Sequence, residues 1–224
     1  MINTNKLELW IKFNSIIQSI LILLSLYYQS IFMYMFVILL LHFYLFLFDI
    51  SNKKRLIPNA VTLFRVCHIP LLYLFKFNLS IIVWIILSFI ILDGLDGFLA
   101  KKLNVTSMFG EFFDKECDAS FVSFVTLLIS INSSFYYLAL IGLLRYIFVF
   151  VSYIIKVIKQ LPTLPDHSSQ LNRISFILFL LCIILGCYIN YSVWAIVLWK
   201  IGFYLMLVSY MVSFIVILTK NYDS

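Results

Sequence analysis

Four aspartates are the residues whose types and spacing point most directly to chemistry. They are Asp93, Asp96, Asp114 and Asp118. All lie at the ends of long apolar segments, where an ionised carboxylate is costly unless something compensates its charge. The first two are three residues apart and the last two are four apart, and both spacings place side chains on one face of a helix. Two such helices joined by a short turn would form a cage of four carboxylates, which one or two hard divalent cations would neutralise.

The composition indicates a membrane protein built from helices. Hydrophobic residues make up 64% of the 224 residues and charged residues 12%, which is more apolar surface than a soluble domain of this length can use. The apolar runs are long and continuous, whereas strands of a membrane β-barrel alternate over about ten residues. The sequence therefore predicts an all-α integral membrane protein.

Several other classes are excluded by the charge pattern and the cysteines. Lys6, Glu8 and Lys12 precede the first apolar run, but no small-residue cleavage site follows it, so we expect no cleaved signal peptide. The formal charge of +6 suits anionic lipids and substrates, and no basic stripe with interleaved aromatics predicts a nucleic-acid partner. The four cysteines lack zinc-ligand spacing and are expected to be buried thiols.

Polar breaks divide the chain into eight expected spans. Residues 1–13 are polar and amphipathic, which predicts a segment on the membrane surface. The apolar run from Asn14 to Phe48 is too long for one span and just long enough for two, so we expect a hairpin of short helices that turns in the Tyr27–Ser30 region. Six further spans are expected at about Ile57–Phe75, Ile81–Ala100, Glu111–Ile131, Phe135–Ile155, 174–189 and Val193–Leu218.

The loop charges predict an orientation. With eight spans and the N-terminus inside, eleven lysines and arginines fall on one side of the membrane, and the other side keeps only Lys76. The positive-inside rule makes the basic side cytoplasmic. The four aspartates are therefore expected at the cytoplasmic face of a multi-pass protein, and we expect a bacterial inner membrane.

The complete acidic motif resembles the signature of the CDP-alcohol phosphotransferase family. The pattern D-x2-D-G-x2-A-K-x8-G-x3-D-x3-D, from Asp93 to Asp118, matches that signature in spacing at every position across 26 residues. The family usually has arginine where this sequence has Lys101, which keeps the charge but loses the planar fork. The segment P-N-x2-T-x2-R, from Pro58 to Arg65, also resembles the start of the family's first core span, notably in phosphatidylglycerophosphate synthases.

This resemblance implies a fold and an activity. The fold would be a six-helix catalytic core at residues 57–218, preceded by two additional transmembrane helices within residues 1–56 and followed by a polar tail at 219–224. The activity would be attack of an acceptor hydroxyl on a CDP-linked donor, with CDP-diacylglycerol expected, and release of CMP in phospholipid synthesis. Many members of the family are homodimers, so a homodimer is compatible with the resemblance.

The resemblance also implies roles for individual residues. By the family pattern, Asp93, Asp96 and Asp114 ligate divalent metal, usually Mg²⁺ or Mn²⁺. Asp118 lies near a second ion and is the family's proposed general base. Gly97 and Ala100 line the nucleotide pocket, where bulk would block the cytidine, and Lys101 and Gly110 belong to the same motif.

The residue chemistry agrees with these roles. Catalysis of phosphoryl transfer is mostly positioning and charge neutralisation, and two metals about 4 Å apart could clamp the bridging oxygens of a pyrophosphate. Small residues at Gly97, Ala100 and Gly110 permit close backbone approach. Asn59 and Thr62 are expected either to touch the nucleotide or to cap a helix.

The remaining charged residues have alternative interpretations. Arg145, inside an apolar span, would bind an anionic substrate, pair with an internal acid or snorkel to the surface. Arg173 would bind an acceptor phosphate or serve as an ordinary positive-inside residue. Arg65 would contact the nucleotide, like Asn59 and Thr62, or equally serve as a structural ion-pair partner. Glu111 and Glu116 flank the metal acids, and Glu116 should point away from the face that Asp114 and Asp118 share, so both are expected outside the ligand set.

The identity of the acceptor stays open at this point. The Pro58–Arg65 segment favours glycerol 3-phosphate. However, phosphatidylglycerophosphate synthases usually carry proline after the third acid and lysine after the fourth, where this sequence has Lys115 and Ala119. Serine, inositol, inositol phosphate and choline are the alternatives. A membrane cation transporter using the same acids, or a non-catalytic family member, would be a different class, although a transporter explains neither Gly97 and Ala100 nor the eight-residue gap.

Overall fold

The computed structural model of the chain is a bundle of helices. It describes residues 4–49, 56–103, 105, 107–133, 135–159, 170–189 and 192–219. The α-helices among them are α1 (Thr4–Tyr28), α2 (Phe32–Asp49), α3 (Leu56–Val66), α4 (His68–Leu74), α5 (Leu79–Lys102), α6 (Met108–Ser133), α7 (Ala139–Ile158), α8 (Gln170–Tyr188) and α9 (Val193–Thr219). A 3-10 turn, Tyr136–Leu138, leads into α7. These described residues contain no strand, so the all-α prediction is confirmed.

Five of the described segments are long and apolar enough to cross a membrane. They are Trp10–Tyr28, Leu56–Leu74, Leu79–Lys102, Tyr136–Ile158 and Val193–Thr219. Two shorter apolar segments, Phe32–Leu47 and Ile174–Tyr188, lie in α2 and α8. Helix α6 has the length of a span, but its first three turns carry five charged residues, two of them the predicted metal acids. The chain is a multi-pass membrane protein, and within its described residues five segments, against the eight spans predicted, meet both criteria.

The N-terminal region differs from the prediction. Helix α1 is continuous from Thr4, so no separate surface segment ends at residue 13. Three polar residues just after that boundary, Asn14, Ser15 and Gln18, are buried in the protein. The chain turns after α1 at Gln29, which has a positive φ of 50°. The hairpin turn is therefore where the sequence predicted it.

The first core span is broken between α3 and α4. Pro70 lies in the first turn of α4, where its ring and missing N–H prevent α3 from continuing as one regular helix. Cys67 occupies the break and is exposed, so the prediction that all the cysteines are buried is wrong at this position. Cys117 and Cys187 are buried as expected, and Cys182 is half-buried.

Helix α6 is the central element of the bundle. Every residue from Ala119 to Ser130 is buried, and α6 packs against α1, α2, α3, α4 and α7. Its contact with α7 is close because small residues meet there. A Cβ added to Gly142 would lie 2.8 Å from the Cβ of Ser123 and 2.9 Å from its Cα. Small residues at such contacts let helix backbones approach within membranes.

The basic residues at the helix ends are unevenly distributed. Lys101 and Lys102 end α5, and Lys156 lies in the last turn of α7, at the same end of the bundle as the acidic motif. At the opposite end, Asn132 Nδ2 donates to the Lys76 backbone oxygen over 3.0 Å. Lys200 lies at that end too, over the ring of Phe135. Lys200 lies within α9, inside the eighth expected span, and so was not among the loop charges from which the orientation was predicted.

The close contact between α6 and α7 predicts a strong effect of one methyl group. We expect Gly142→Ala to lower the free energy of unfolding by about 1–3 kcal/mol, because the backbone of Ser123 cannot yield as a flexible side chain would. Thermal unfolding in detergent measures this. The control is Gly94→Ala, whose Cβ would meet nothing within 4 Å and which should stabilise α5 slightly. Equal melting temperatures for the two variants would contradict the close packing.

Candidate active site

Two helices bring the predicted acids together. Asp93 and Asp96 lie in the last turns of α5, and Asp114 and Asp118 lie near the start of α6. One carboxylate oxygen from each of Asp93, Asp114 and Asp118 lies within 4.8 Å of the others. The i,i+3 and i,i+4 spacings in the sequence thus produce the cluster that they indicated.

Arg65, on α3, lies at the centre of this acid cluster. Its Nη1 is 2.8 Å from Asp96 Oδ2 and also donates to Asp114 Oδ1. Its Nη2 is 2.7 Å from Asp93 Oδ1 and also donates to Asp118 Oδ1. The Arg65 side chain is fully buried, so all four carboxylates share one desolvated guanidinium. The planar fork of arginine suits this arrangement, because its two terminal nitrogens can each serve two acceptors.

The residues around Arg65 fix its position. The guanidinium lies 4.5 Å from the ring centroid of Phe89, a cation–π contact. That ring stacks in turn on Phe121, at a centroid separation of 3.6 Å. His68 Nδ1 is 3.0 Å from the Arg65 backbone oxygen, and its Nε2 is 3.0 Å from Ser88 Oγ. His68 is thus a buried structural residue.

The four carboxylates differ in their access to the surroundings. The Asp96 side chain is 6% exposed and also accepts a hydrogen bond from Thr62 Oγ1 over 2.9 Å. The side chains of Asp93, Asp114 and Asp118 are 45%, 38% and 30% exposed. Asp96 therefore anchors the cluster within the protein, while the other three can be reached by a ligand.

The donor set fits a hard divalent cation. Four carboxylates against one guanidinium leave a formal excess of three negative charges (4 − 1 = 3) when all are ionised. Mg²⁺ and Mn²⁺ bind through carboxylate oxygens, and three such oxygens lie close enough together to share an ion. Asp93, Asp114 and Asp118 would hold it, with Asp96 beside them. A cation bound there would use the same oxygens that Arg65 contacts.

A cleft of about 470 Å³ opens beside the acid cluster. The structure places all six residues predicted for the nucleotide along its wall. They are Asn59, Thr62, Gly97, Ala100, Lys101 and Gly110, and Asp96 and Asp114 line the same cleft. The predicted residues thus come from three helices, α3, α5 and α6, and line one cleft.

The two glycines of this wall differ in what surrounds them. A Cβ on Gly110 would lie 3.2 Å from Ser107 Oγ and 3.6 Å from Asn59 Oδ1, so Gly110 permits a close approach between α6 and α3. A Cβ on Gly97 would meet nothing within 4 Å. A larger side chain at Gly97 would therefore enter the open space of the cleft.

Of the two predicted acceptor-binding arginines, Arg145 is not among the described residues that line the cleft. Arg145 lies on α7, where its charge acts on Glu116 and Tyr210. Arg173 lies at the start of α8, and its side chain is outside the described positions. Glu111 lies at the cleft and pairs with Lys115 over 3.0 Å. Glu116 points away from the acid cluster, as its spacing indicated, and is buried.

Arg65 is the site residue that the sequence prediction undervalued. The available signal was an arginine inside an apolar segment of a chain whose four clustered acids need a buried positive charge. Its spacing of three residues from Thr62 also places both on one face of α3. Both side chains do reach Asp96.

Comparison with known families gives a match of residues 55–217 to a model of the CDP-alcohol phosphatidyltransferase family. No curated protein and no solved structure matches the chain. The matched segment contains every helix that forms the acid cluster and the cleft. Helices α1 and α2 precede it.

Removing Arg65 should expose its role as the counter-charge of the acid cluster. We expect Arg65→Gln to lower the free energy of unfolding in EDTA by about 3–5 kcal/mol, because the buried carboxylate of Asp96 and three partly exposed carboxylates lose their partner. Mg²⁺ or Mn²⁺ should then raise the melting temperature of the variant more than that of the wild type, since the oxygens are vacated. Thermal unfolding with and without metal measures both effects.

The control for this experiment is Lys76→Gln, which removes a positive charge at the far end of the bundle. Lys76→Gln should change neither the free energy of unfolding in EDTA nor the rise in melting temperature that Mg²⁺ or Mn²⁺ produces. An Arg65→Gln variant that is as stable as the wild type in EDTA would show that the carboxylates do not depend on Arg65.

Proposed function

The chain belongs to the CDP-alcohol phosphatidyltransferase family, and on that basis we propose that it transfers a phosphatidyl group from CDP-diacylglycerol to an acceptor hydroxyl, with release of CMP. The observation that carries this proposal is the shared cleft. Its lining combines two of the clustered carboxylates, Asp96 and Asp114, with the small and polar residues of the family motif. A nucleotide and the pyrophosphate attached to it need both kinds of group side by side.

A lipid donor suits the position of the cleft. It lies between the end of α5 and the start of α6, at one end of helices that cross the membrane. The acyl chains of CDP-diacylglycerol can therefore stay in the bilayer while the headgroup reaches the acid cluster. Lys101, exposed at the cleft, supplies a positive charge for a phosphate. We propose that this end faces the cytoplasm of a bacterial inner membrane, in agreement with the basic residues there.

In the proposed reaction, the acceptor oxygen attacks the phosphorus that carries the diacylglycerol. The bond from that phosphorus to CMP breaks, and CMP leaves with the electron pair. Asp118 takes the proton of the acceptor hydroxyl. In support of this role, Asp118 lies at the edge of the acid cluster with its side chain 30% exposed, so a hydroxyl can reach it.

We propose that the acid cluster holds divalent metal. By the family pattern Asp93, Asp96 and Asp114 are ligands and Asp118 lies near a second ion, and the clustering of oxygens from Asp93, Asp114 and Asp118 supports an ion shared with Asp118 as well. Members of the family use divalent metal, and Mg²⁺ or Mn²⁺ bound here would neutralise the pyrophosphate and polarise the reacting phosphorus. The carboxylates also keep Arg65 in place, and Arg65 holds the two acid-bearing helices together at the site.

Glycerol 3-phosphate is the proposed acceptor, supported by the Pro58–Arg65 segment. Arg173, at the start of α8, is the proposed contact for its phosphate. Arg145 is a second candidate for an anionic acceptor, although Glu116 competes for its charge. Serine, inositol, inositol phosphate and choline would undergo the same chemistry and are the acceptors against which this assignment is tested.

The test is CMP release by the purified protein in detergent with CDP-diacylglycerol and Mg²⁺ or Mn²⁺. Each acceptor is offered separately, and we expect CMP release with glycerol 3-phosphate that disappears in EDTA.

Asp118→Asn should reduce the rate of CMP release by about 10²–10⁴-fold, the usual contribution of a general base, while donor binding remains. Turnover unchanged in Asp118→Asn would remove this residue as the base. No CMP release with any acceptor would instead favour a cation transporter or a non-catalytic family member.

The open space at Gly97 predicts a selective block of donor binding. Gly97→Leu should raise the KM for CDP-diacylglycerol at least about tenfold, equivalent to about 1.4 kcal/mol, because the side chain enters the cleft. Direct titration with the CDP-lipid checks the affinity. Gly94→Leu is the matched control, since Gly94 lies on the same helix with nothing near its Cβ and outside the cleft wall. Equal effects of the two variants would place the nucleotide elsewhere.

A further inference from the structure

A second polar cluster lies on the side of α6 that faces away from the acid cluster. Glu116 is 3% exposed, and its Oε2 accepts a hydrogen bond from Asn14 Nδ2 over 2.6 Å. Gln18 Nε2 donates to Asn14 Oδ1 over 3.3 Å. Asn14 and Gln18 belong to α1, which precedes the segment that matches the family. A carboxylate of the family core is therefore hydrogen-bonded by a helix from outside the matched segment.

The position of Glu116 on α6 determines how its hydrogen bond with Asn14 constrains the helix. Glu116 is two residues from both Asp114 and Asp118, and successive helix residues are about 100° apart, so Glu116 projects from nearly the opposite face. Helix α6 is thereby held by polar contacts on both sides. Arg65 binds it from α3, and Asn14 binds it from α1.

Two further contacts hold α1 at this register. The ring of Trp10 packs edge-on against Phe112, with centroids 5.5 Å apart, one turn before the Asn14–Glu116 contact. The ammonium group of Lys12 lies 5.1 Å from the ring centroid of Tyr153 on α7. Helix α1 therefore cannot slide or turn against α6 without breaking several contacts at once.

A polar pair is an expensive way to pack two membrane helices. Burying a carboxylate costs more than burying an apolar residue of similar size, and apolar pairs often replace buried ionic groups without loss of stability. A buried polar contact does, however, select one register between helices, as a single asparagine does in coiled coils. The Asn14–Glu116 contact is thus better suited to fixing the rotation of α6 than to holding the bundle together.

The rotation of α6 matters because a metal ion requires its ligand atoms to be placed accurately. A rotation of α6 by about 20° moves an atom about 6 Å from the helix axis by roughly 2 Å. Metal–ligand distances tolerate only about 0.2 Å. Asp114 and Asp118 must meet Asp93 on another helix, so a small rotation would disperse the acid cluster.

We propose that Asn14 is a positioning residue for the acid cluster. Through Glu116 it fixes the rotation of α6 and so sets Asp114 and Asp118 against Asp93. The N-terminal hairpin is then part of the catalytic unit and more than a membrane anchor. This inference rests on the metal role in the proposed function, and it is tested by metal affinity as well as by turnover.

The experiment measures Mn²⁺ affinity by electron paramagnetic resonance of free Mn²⁺, with the full-length protein in detergent, together with CMP release. Asn14→Leu removes the donor to Glu116, and we expect the affinity to fall about 10- to 100-fold, as when outer partners of metal ligands are lost. The double variant Asn14→Asp/Glu116→Gln exchanges carboxylate and amide, so the hydrogen bond re-forms with donor and acceptor reversed. It should recover most of the Mn²⁺ affinity.

Two further variants separate positioning from general stability. Ser19→Ala is the control on α1, because its hydroxyl bonds within the helix to the Ser15 backbone oxygen, and it should leave Mn²⁺ affinity unchanged. Glu116→Gln keeps an acceptor for Asn14 at nearly the same size and should also stay close to wild type. This variant and the exchanged pair test the inference even where Asn14→Leu fails to fold.

Unchanged Mn²⁺ affinity in folded Asn14→Leu, or no recovery in the exchanged pair, would overturn the inference. Absence of Mn²⁺ binding in the wild type would overturn it as well. Loss and recovery of Mn²⁺ affinity in a protein that releases no CMP would uphold the positioning role while the proposed reaction fails.

Discussion

The sharing of one guanidinium by four carboxylates is the interaction on which the rest of the structure depends. Arg65 is buried and contacts all four acids, yet its single charge leaves three negative charges uncompensated. Carboxylates in a helix bundle tolerate such an excess only where cations can enter, and three of the four are partly exposed. The cluster therefore contains one internal cation, Arg65, which orders the helices. It also has an excess of negative charge that a bound cation can neutralise.

Helix α6 must hold its two acids of the cluster in place, and its packing serves this purpose. The helix carries the acids in its first turns, and from Ala119 to Ser130 it is completely buried among its neighbours. Small residues make this possible, since Ser123 lies directly against Gly142 of α7. A central helix packed this closely has a defined depth and tilt, but apolar packing alone specifies rotation weakly. Polar contacts on opposite faces, to Arg65 and to Asn14, supply that missing constraint.

The parts of the site that the sequence predicted are those set by short-range spacing. Asp93 and Asp96, or Asp114 and Asp118, share a face because of helix geometry alone. The role of Arg65 depends on partners 28 to 53 residues away, which periodicity does not reveal. The resemblance to the family supplied the cleft residues. Asn14 was interpreted as the start of a span, because a polar residue near water and one facing a buried carboxylate look alike in a sequence.

The Asn14–Glu116 contact also bears on where the functional unit ends. The family match, residues 55–217, includes every acid of the cluster and every predicted nucleotide contact. It includes Glu116 as well, but the amide that hydrogen-bonds Glu116 lies outside it. Arg145 contributes charge from α7, yet a buried acceptor without a hydrogen bond costs about 1–3 kcal/mol, and more when it is charged. A core without α1 would carry this cost on the helix whose rotation positions the acid cluster, so the N-terminal hairpin and the core form a single structural unit.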